Sequence, residues 1–189
     1  MRVYTRKGDE GETGLLFGGR ASKADERFDA AGAVDTAVSA MGLARALCAN
    51  DRTKDVLLQA QHDMFTIGSE LATGPEHYDE LKERFSIVTA EMVERLEATI
   101  DEIDRQIDLP HNFIVPGASA GSSALDLARG LVREAERRTV AFNGAIRLPN
   151  GEVLRYLNRL SDLLFMLARL EDKDLSFEIT TGKIRREQS

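Results

Sequence analysis

Three arginines spaced four residues apart lie in the segment from Ser123 to Arg137. The segment's apolar pattern predicts a helix, and residues four positions apart share one helical face, so Arg129, Arg133 and Arg137 would form a cationic stripe. Adjacent guanidinium groups on such a stripe repel one another by roughly a few tenths of a kcal/mol. A bound anion would offset this repulsion, and the planar guanidinium fork suits phosphate. The spacing therefore favours a phosphate-binding face, with a solvated basic face as the alternative.

The first 25 residues are a second candidate for phosphate binding. Their glycines make a helix improbable and predict a loop of tight turns: Gly8, Gly11, Gly14, Gly18 and Gly19. The backbone N–H groups of such loops can wrap a phosphate together with a few polar or cationic side chains. The loop offers Thr5, Arg6, Thr13 and Lys23. It lacks the P-loop pattern G-x-x-x-x-G-K-[ST], and a disordered arm is the alternative interpretation.

The sequence contains few histidine and cysteine residues that could ligate a metal ion. Its three histidines show no metal-ligand spacing, and Cys48 is the single cysteine, which excludes a multi-cysteine site. We expect Cys48 to be a buried structural thiol. One of Asp9, Glu10 and Glu12 could help to hold Mg²⁺ shared between protein and phosphates, because Mg²⁺ prefers oxygen ligands. No metal site built from protein residues alone is predicted.

The predicted last helix also contains several polar residues in its interior. Asn158, Ser161, Asp162 and Arg169 share one face, although Asn and Asp are poor residues for a helix interior. This predicts hydrogen-bonding duties, either towards a ligand or in a buried cluster that sets the helix register. Phe113, on the connector before the arginine-bearing helix, is an aromatic residue of a kind that often plugs the end of a bundle.

Composition excludes several classes of protein. The net charge of −7 argues against nonspecific nucleic-acid binding, and no Ser-His-Asp or Cys-His set can be assembled. The N-terminus has no apolar signal region, and no window approaches 18 apolar residues. We therefore expect a cytoplasmic protein that binds neither nucleic acid nor membrane.

The 189 residues fit a single domain, made of a loop (1–25), a helical bundle (26–172) and a polar tail (173–189) that we expect to be partly disordered. Apolar periodicity predicts five long helices and no credible strand, which is typical of an all-α bundle. The predicted helices cover residues 27–49, 53–72, 79–106, 122–142 and 152–171.

Taken together, these motifs resemble the PduO-type ATP:cob(I)alamin adenosyltransferases over nearly the whole chain. Each motif is short, but their order and spacing are specific. The resemblance rests on Y-T-R-K-G-D-E-G-E-T (4–13), F-G-G-R-A-S-K (17–23), G-A-V-D (32–35), F-I-V-P-G (113–117), A-L-D-L-A-R-G-L-V-R-E-A-E-R (124–137) and Y-L-N-R-L-S-D (156–162).

The resemblance implies a five-helix bundle, assembled as a homotrimer with its active sites between subunits. It implies that ATP contacts the N-terminal loop at Thr5, Arg6, Lys7, Gly8, Thr13, Gly14 and Lys23. It implies further nucleotide contacts within the arginine-bearing segment and the last helix, at Arg133, Glu134, Ala135, Glu136, Arg137 and Asn158. By the same resemblance, Asp35 and Arg129 form a salt bridge across the subunit interface, and Phe113 lies below the corrinoid.

The reaction implied by the resemblance needs no strong catalytic base. Cobalt(I) of the reduced corrinoid attacks the 5′ carbon of ATP and expels triphosphate, whose charge Arg133, Arg137, Lys23 and Mg²⁺ would stabilise. Phe113 would exclude the lower axial ligand of cobalt. Asp35, Phe113, Arg129 and Arg133 are therefore the candidate catalytic residues, and a flavin-type reductase is a possible partner.

The chain departs from the usual family pattern at several positions. These are Thr36, Ala37 and Val38 after Asp35, and Ala118, Asp126 and Glu134 in later motifs. Because some of these positions fall on the corrinoid side, an alternative function stays open. It is a non-catalytic protein of the same fold that binds ATP or corrinoid and senses or delivers the cofactor.

Overall fold

The computed structural model of the chain describes Tyr4 and residues 6–180. These residues contain six α-helices, one two-stranded antiparallel sheet and a short 3₁₀ turn at Pro75–His77. The helices are α1 (Glu26–Leu47), α2 (Asp51–Leu71), α3 (Tyr78–Arg84), α4 (Ala90–Asp104), α5 (Ala120–Ile146) and α6 (Glu152–Glu171), and the strands are β1 (Glu12–Gly14) and β2 (Arg20–Ser22).

The predicted all-α bundle is confirmed, and its centre is α5. This helix packs against α1 on one side and α6 on the other, while α2 packs on α1 and α4 packs on α6. Their facing surfaces form one continuous core, in which Met41, Leu57, Leu125 and Leu164 are fully buried. None of the helices in the described part is long and apolar enough to cross a membrane.

Side-chain caps fix where the long helices begin. Asp25 accepts a hydrogen bond from the N–H of Arg27 at the start of α1, and Asn50 does the same for Thr53 in α2. Ser119 and Ser122 form a reciprocal capping box that starts α5. These caps satisfy N–H groups that the first helical turn leaves without partners, so the polar residues at the helix starts determine the boundaries.

The predicted helix over 79–106 is wrong, because residues 85–89 divide it into α3 and α4. Val88 in this break is buried, and its N–H donates to Glu70 Oε1 at 2.6 Å. Phe85 ends α3 with an extended backbone, and Thr89 caps α4 by accepting from the N–H of Met92. The N–H of Val88 thus donates to a side chain of α2 and not to a carbonyl of its own segment, as it would in a continuous helix.

The prediction of no strands is also wrong for the N-terminal loop. In this loop β1 and β2 pair with Glu12 opposite Ser22 and Gly14 opposite Arg20. Positive φ angles at Gly18 and Gly19 allow the turn between the strands, a conformation that glycine adopts without steric cost. The predicted tight turns are therefore organised as a small hairpin.

The tail predicted for residues 173–189 is described as far as Thr180, and its described end is paired with the connector before α5. The N–H of Thr180 donates to the carbonyl of Phe113 at 2.9 Å, and the N–H of Val115 donates to the carbonyl of Glu178 at 2.7 Å. The expectation of disorder therefore does not apply to residues 178–180. Residues 181–189 lie outside the described part of the chain.

The prediction of a buried structural thiol at Cys48 is confirmed. Cys48 ends α1 and is 4% exposed. Burial, with the nearby carboxylate of Glu171, raises the pKa of the thiol to about 12. The thiolate is therefore scarce near neutral pH, which argues against a reactive role.

Glu70 connects the end of α2 by hydrogen bonds to three other segments of the bundle. Its carboxylate, buried at the end of α2, accepts hydrogen bonds from Val88 N–H, Tyr78 Oη and Asn150 Nδ2. Burial raises the pKa of Glu70, and the three donors oppose that rise without cancelling it.

We expect the stability contributed by Glu70 to fall as the pH rises above 4.5, its ordinary pKa. A carboxyl group whose pKa is higher in the folded state binds its proton more tightly there, so ionisation favours unfolding. Glu70→Gln cannot ionise at this position. Urea unfolding of both proteins from pH 4 to pH 8 should show the unfolding free energy of the wild-type protein falling relative to that of the variant. A difference in unfolding free energy that does not change with pH would contradict a raised pKa at Glu70.

Candidate active site

The N-terminal loop is closed by two of its own cations. Lys23 Nζ donates to the carbonyl oxygen of Gly8 at 2.7 Å, and Arg20 Nη2 donates to the carbonyl oxygen of Lys7 at 2.7 Å. Arg20 also pairs with Glu12 at 3.0 Å. A Cβ atom at position 8 would lie 3.1 Å from Lys23 Nζ, so glycine permits this close approach. Contacts within the loop thus hold it in a closed turn.

The predicted loop residues have different surroundings. Arg6 and Lys7 are exposed, Gly8 and Thr13 are half-buried, and Gly14 and Lys23 are exposed. Thr5 lies outside the described residues. Sequence reasoning missed Arg20, although it stands within a motif that carried the resemblance, because no pattern within the loop showed that it would reach Lys7.

The hairpin is joined to the bundle through α1 and α2. The N–H of Leu16 donates to the carbonyl of Ala72 at 3.0 Å. Arg27, buried at the start of α1, donates to the carbonyls of Leu71 and Thr73, and its guanidinium lies 5.0 Å from the ring centre of Phe142 in α5. These contacts place the loop beside the carboxyl ends of α2 and α5.

The predicted arginine stripe on α5 has two exposed members. Arg133 and Arg137 are exposed, and neither forms an ion pair with another described residue. Arg129 is half-buried, and its guanidinium lies 5.7 Å from the ring centre of Phe165 in α6. The stripe therefore presents two cations to solvent and turns the third towards α6.

Two residues predicted to contact the nucleotide do not lie on the exposed face of this stripe. Ala135 is fully buried in the core, so its methyl group packs between helices. Glu134 accepts from Arg138 at 2.8 Å and faces α1, where Arg138 also lies 3.7 Å from Asp29. The helical period turns positions 134 and 135 away from 133 and 137. Nucleotide contacts at Glu134 and Ala135 therefore stay predictions that this face of the helix does not support.

Asn158 and Glu136 meet beside the exposed arginines. Asn158 Nδ2 donates to Glu136 Oε1 at 3.1 Å and so links α6 to α5. Ser161 Oγ donates to the carbonyl of Asn158 at 2.9 Å. Asn158 is exposed despite its mid-helix position, which leaves part of its amide available to a ligand.

A cavity of about 700 Å³ opens beside the amino-terminal half of α5, where Arg129 lies. Its walls combine aromatic and aliphatic groups with two guanidinium groups and three carboxylates. The lining residues are Glu97, Ile100, Asp101, Phe113, Arg129, Arg159, Asp162, Phe165 and Met166. Phe113 is 75% exposed, so it projects from the connector instead of plugging the core. Arg159 pairs with Glu97 at 2.9 Å and with Asp162 at 3.0 Å, which fixes the polar side of the wall.

A buried ion pair lies next to this cavity, between Asp126 of α5 and Arg169 of α6. Their side chains are 9% and 2% exposed. Arg169 also lies 5.2 Å from the ring centre of Phe165, a wall residue. Sequence reasoning placed Asp126 only as a departure from a family pattern and did not predict its partner, since 43 residues separate the two.

Asp35 is exposed on α1 and forms no ion pair with Arg129 within the chain. Tyr4 and residues 6–180 also contain no cluster of three or more His, Cys, Asp or Glu side chains that could hold a metal ion. Asp9 and Glu10 are exposed in the loop, whereas Glu12 is paired with Arg20. A single carboxylate of this kind fits Mg²⁺ that takes its remaining ligands from phosphates and water.

The fold and the site define an all-α bundle with an exposed guanidinium pair suited to phosphates and, one helical turn away, a large, partly apolar cavity. The sequence pattern of the cobalamin adenosyltransferase family matches residues 3–171, and the chain belongs to this family.

Individual relatives support the same family. The chain is 40% identical over 174 residues to a corrinoid adenosyltransferase of Bacillus subtilis, an alignment that covers 90% of this chain and 86% of that protein. It is 37% identical to the corrinoid adenosyltransferase PduO of Salmonella typhimurium over 92% of this chain. That alignment spans about half, 51%, of the Salmonella protein.

Solved structures agree with the sequence relatives. A variant PduO-type ATP:corrinoid adenosyltransferase from Lactobacillus reuteri, complexed with cobalamin and ATP, matches with a TM-score of 0.87 and 29% identity. The match covers 96% of this chain and 97% of that one. A second variant from the same organism, also complexed with cobalamin and ATP, matches with a TM-score of 0.86 and 30% identity.

Proposed function

We propose that this chain, as a single domain, transfers the 5′-deoxyadenosyl group of ATP to cobalt(I) of a reduced corrinoid and releases triphosphate. One observation carries the proposal beyond the family resemblance. Arg129 lines the cavity, while Arg133 and Arg137 stand exposed one and two turns further along the same helix. A rise of 1.5 Å per residue separates these positions by about 6 and 12 Å, which suits a nucleotide whose sugar reaches the cavity.

The polyphosphate is bound by Arg133 and Arg137, and Asn158 with Glu136 binds the nucleoside part beside them. Both guanidinium groups are exposed and unpaired within the described chain, so binding an anion breaks no existing ion pair. Charge-assisted hydrogen bonds from an arginine fork to phosphate are among the stronger ones that proteins make. The same groups stabilise the negative charge that builds up on the departing triphosphate.

The corrinoid occupies the cavity, with Phe113 towards its lower face. The electron pair of cobalt(I) forms the cobalt–carbon bond at C5′, and the electrons of the breaking C5′–O bond leave with triphosphate. No proton has to be transferred, which agrees with the absence of a Ser-His-Asp or Cys-His set from the sequence. The protein's contribution is to align the two substrates and keep an axial ligand off cobalt.

The N-terminal loop of one subunit covers the nucleotide on its neighbour, in a homotrimer. Within one chain, no hydrogen bond or ion pair joins residues 6–25 to Arg133 or Arg137. The surfaces of α1 and α5 leave large apolar side chains exposed, which a subunit interface would cover: Leu43, Leu47, Leu127 and Val140. Asp35 and Arg129 then pair between subunits.

Thr5, Arg6, Lys7, Gly8, Thr13, Gly14 and Lys23 supply the covering loop. Mg²⁺ bridges the phosphates and Asp9 or Glu10. A flavin-type reductase as electron donor and a cytoplasmic location stay predictions.

A non-catalytic sensor of the same fold is the weaker candidate. Of the departures that favour it, Val38 is buried in the core, Asp126 pairs with Arg169, and Thr36 is exposed on α1. Glu134 likewise pairs with Arg138. None of these side chains lines the cavity within one chain, so they give the sensor no specific support there.

The enzyme assignment predicts turnover by the purified protein. Under anaerobic conditions, with MgATP and chemically reduced cobalamin, we expect a light-sensitive cobalt–carbon product and stoichiometric triphosphate. Absorbance before and after illumination measures the product. A folded trimer that binds ATP and corrinoid without forming the product would select the sensor instead.

A further inference from the structure

The segment after α6 contacts the connector that bears Phe113. Residues 178–180 run antiparallel to residues 113–115, with Ile114 opposite Ile179. The hydrogen bonds on either side are Thr180 N–H to Phe113 carbonyl, 2.9 Å, and Val115 N–H to Glu178 carbonyl, 2.7 Å. In the described part of the chain, these are the two backbone hydrogen bonds that join residues 110–117 to another element.

The same segment is attached to the cavity wall through an alternating series of rings and cations. Phe177 lies 6.0 Å from the guanidinium of Arg169, and Arg169 lies 5.2 Å from the ring centre of Phe165. Arg129 contacts the same Phe165 ring at 5.7 Å. We call Arg129, Phe165, Arg169 and Phe177 the cation–aromatic stack.

The stack has a rigid centre. Arg169 is 1% exposed and is paired with Asp126, so burial and an ion pair both restrict its guanidinium. Cation–π contacts gain strength when they are removed from water, so Phe177 has a defined binding place on this centre. The position of the segment is therefore coupled to the cavity wall.

Phe113 itself has few constraints of its own. It is 75% exposed and lies on a connector outside the helices, where Gly117 has a positive φ. A group that acts by excluding an axial ligand must be held at a defined depth, and a displacement of about 1 Å at such a position can cost a large factor in rate. Pairing with residues 178–180 supplies a restraint that the connector lacks.

We propose that residues 177–180 are a positioning element for corrinoid binding: Phe177 docks on Arg169, and the backbone of Thr180 and Glu178 fixes Phe113 over the cavity. This rests on the proposed corrinoid site. The element acts on the corrinoid and not on the nucleotide, because its contacts lie beside the cavity and none of them involves Arg133 or Arg137.

Two substitutions at one position isolate the backbone contact. Thr180→Pro removes the N–H that donates to Phe113, and Thr180→Ala removes the same side chain while keeping that N–H. In the full-length protein we expect the KM for reduced cobalamin to rise about tenfold in Thr180→Pro, the scale of one lost hydrogen bond, and to change less than about twofold in Thr180→Ala. The KM for ATP should stay within about twofold in both variants.

Phe177 gives an independent test of the docking contact. Phe177→Ala should raise the corrinoid KM by a similar factor, while Phe177→Tyr, which keeps an aromatic face, should restore it. The absorbance spectrum of bound cobalt(II) cobalamin in the presence of ATP reports axial coordination. We expect Thr180→Pro and Phe177→Ala to shift it towards the ligated form, at an unchanged melting temperature.

Equal corrinoid KM values and spectra in Thr180→Pro, Thr180→Ala and Phe177→Ala would overturn the inference. So would a parallel rise in the KM for ATP, since that would indicate a general loss of structure. If Thr180→Pro does not fold, the Phe177 pair decides alone. If the wild-type protein is active and these variants have the same corrinoid KM and spectra, only the positioning role is refuted. If the wild-type protein binds no corrinoid, the proposed function is refuted as well.

Discussion

Replacing Arg133 with alanine is expected to weaken ATP binding about 10- to 100-fold while leaving the fold intact. The estimate follows from the roughly 1.5–3 kcal/mol that a hydrogen bond to a charged group contributes, at about 1.4 kcal/mol per factor of ten. Arg133 is exposed and has no ion-pair partner in the described chain, so its removal leaves no buried group unsatisfied. Isothermal titration with ATP and Mg²⁺ measures the loss.

Arg138→Ala is the matched control for this experiment. Arg138 lies on the same helix and carries the same charge, but it pairs with Glu134 and faces α1. We expect ATP affinity within about twofold of wild type, because exposed ion pairs contribute little. Arg133→Lys should fall between the two, since lysine keeps the charge and loses the planar fork. Equal losses in Arg133→Ala and Arg138→Ala would show that net charge alone attracts ATP and would refute a specific contact.

The arginine stripe was predictable because it depends only on helical period. Positions four residues apart share a face in any α-helix, so the sequence placed Arg133 and Arg137 together before their surroundings were known. The same period also separates Glu134 and Ala135 from that face. The resemblance carries the whole motif over as ligand contacts, whereas the helical period buries the side chain of Ala135 in the core.

What sequence reasoning missed depends on contacts between distant segments. The break between α3 and α4 contains no proline or glycine, and it is stabilised by Glu70, 18 residues earlier, accepting from Val88 N–H. The pairing of Thr180 with Phe113 likewise joins segments far apart in the chain. Local propensity cannot reveal such partners, whereas it located four long helices from apolar spacing alone.

The placement of charged groups along α5 agrees with the proposal that this one helix contacts two substrates. Asp126 is buried and holds Arg169, Arg129 borders the cavity, and Arg133 and Arg137 are free towards solvent. Successive turns thus pass from a structural ion pair to a cavity wall and then to the proposed anion-binding face. In the proposed complex, the rise per residue of this helix sets the distance between the two substrates.

The buried pair at one end of this series is expected to be costly to break. Asp126→Ala leaves the guanidinium of Arg169 buried without its carboxylate, and removing one partner of such a pair typically costs about 3–5 kcal/mol of unfolding free energy. The Nε of Arg169 already lacks a hydrogen-bond partner, so no spare contact compensates. Urea unfolding monitored by circular dichroism measures the difference.

Replacing both partners distinguishes an uncompensated charge from lost packing. Asp126→Leu combined with Arg169→Met removes both charges and keeps apolar volume, and we expect it to recover most of the stability that Asp126→Ala loses. The double variant should nevertheless bind corrinoid more weakly than wild type, because Phe177 loses the guanidinium on which it docks. A double variant as unstable as Asp126→Ala would mean that packing at position 126, and not the unpaired charge of Arg169, sets the cost.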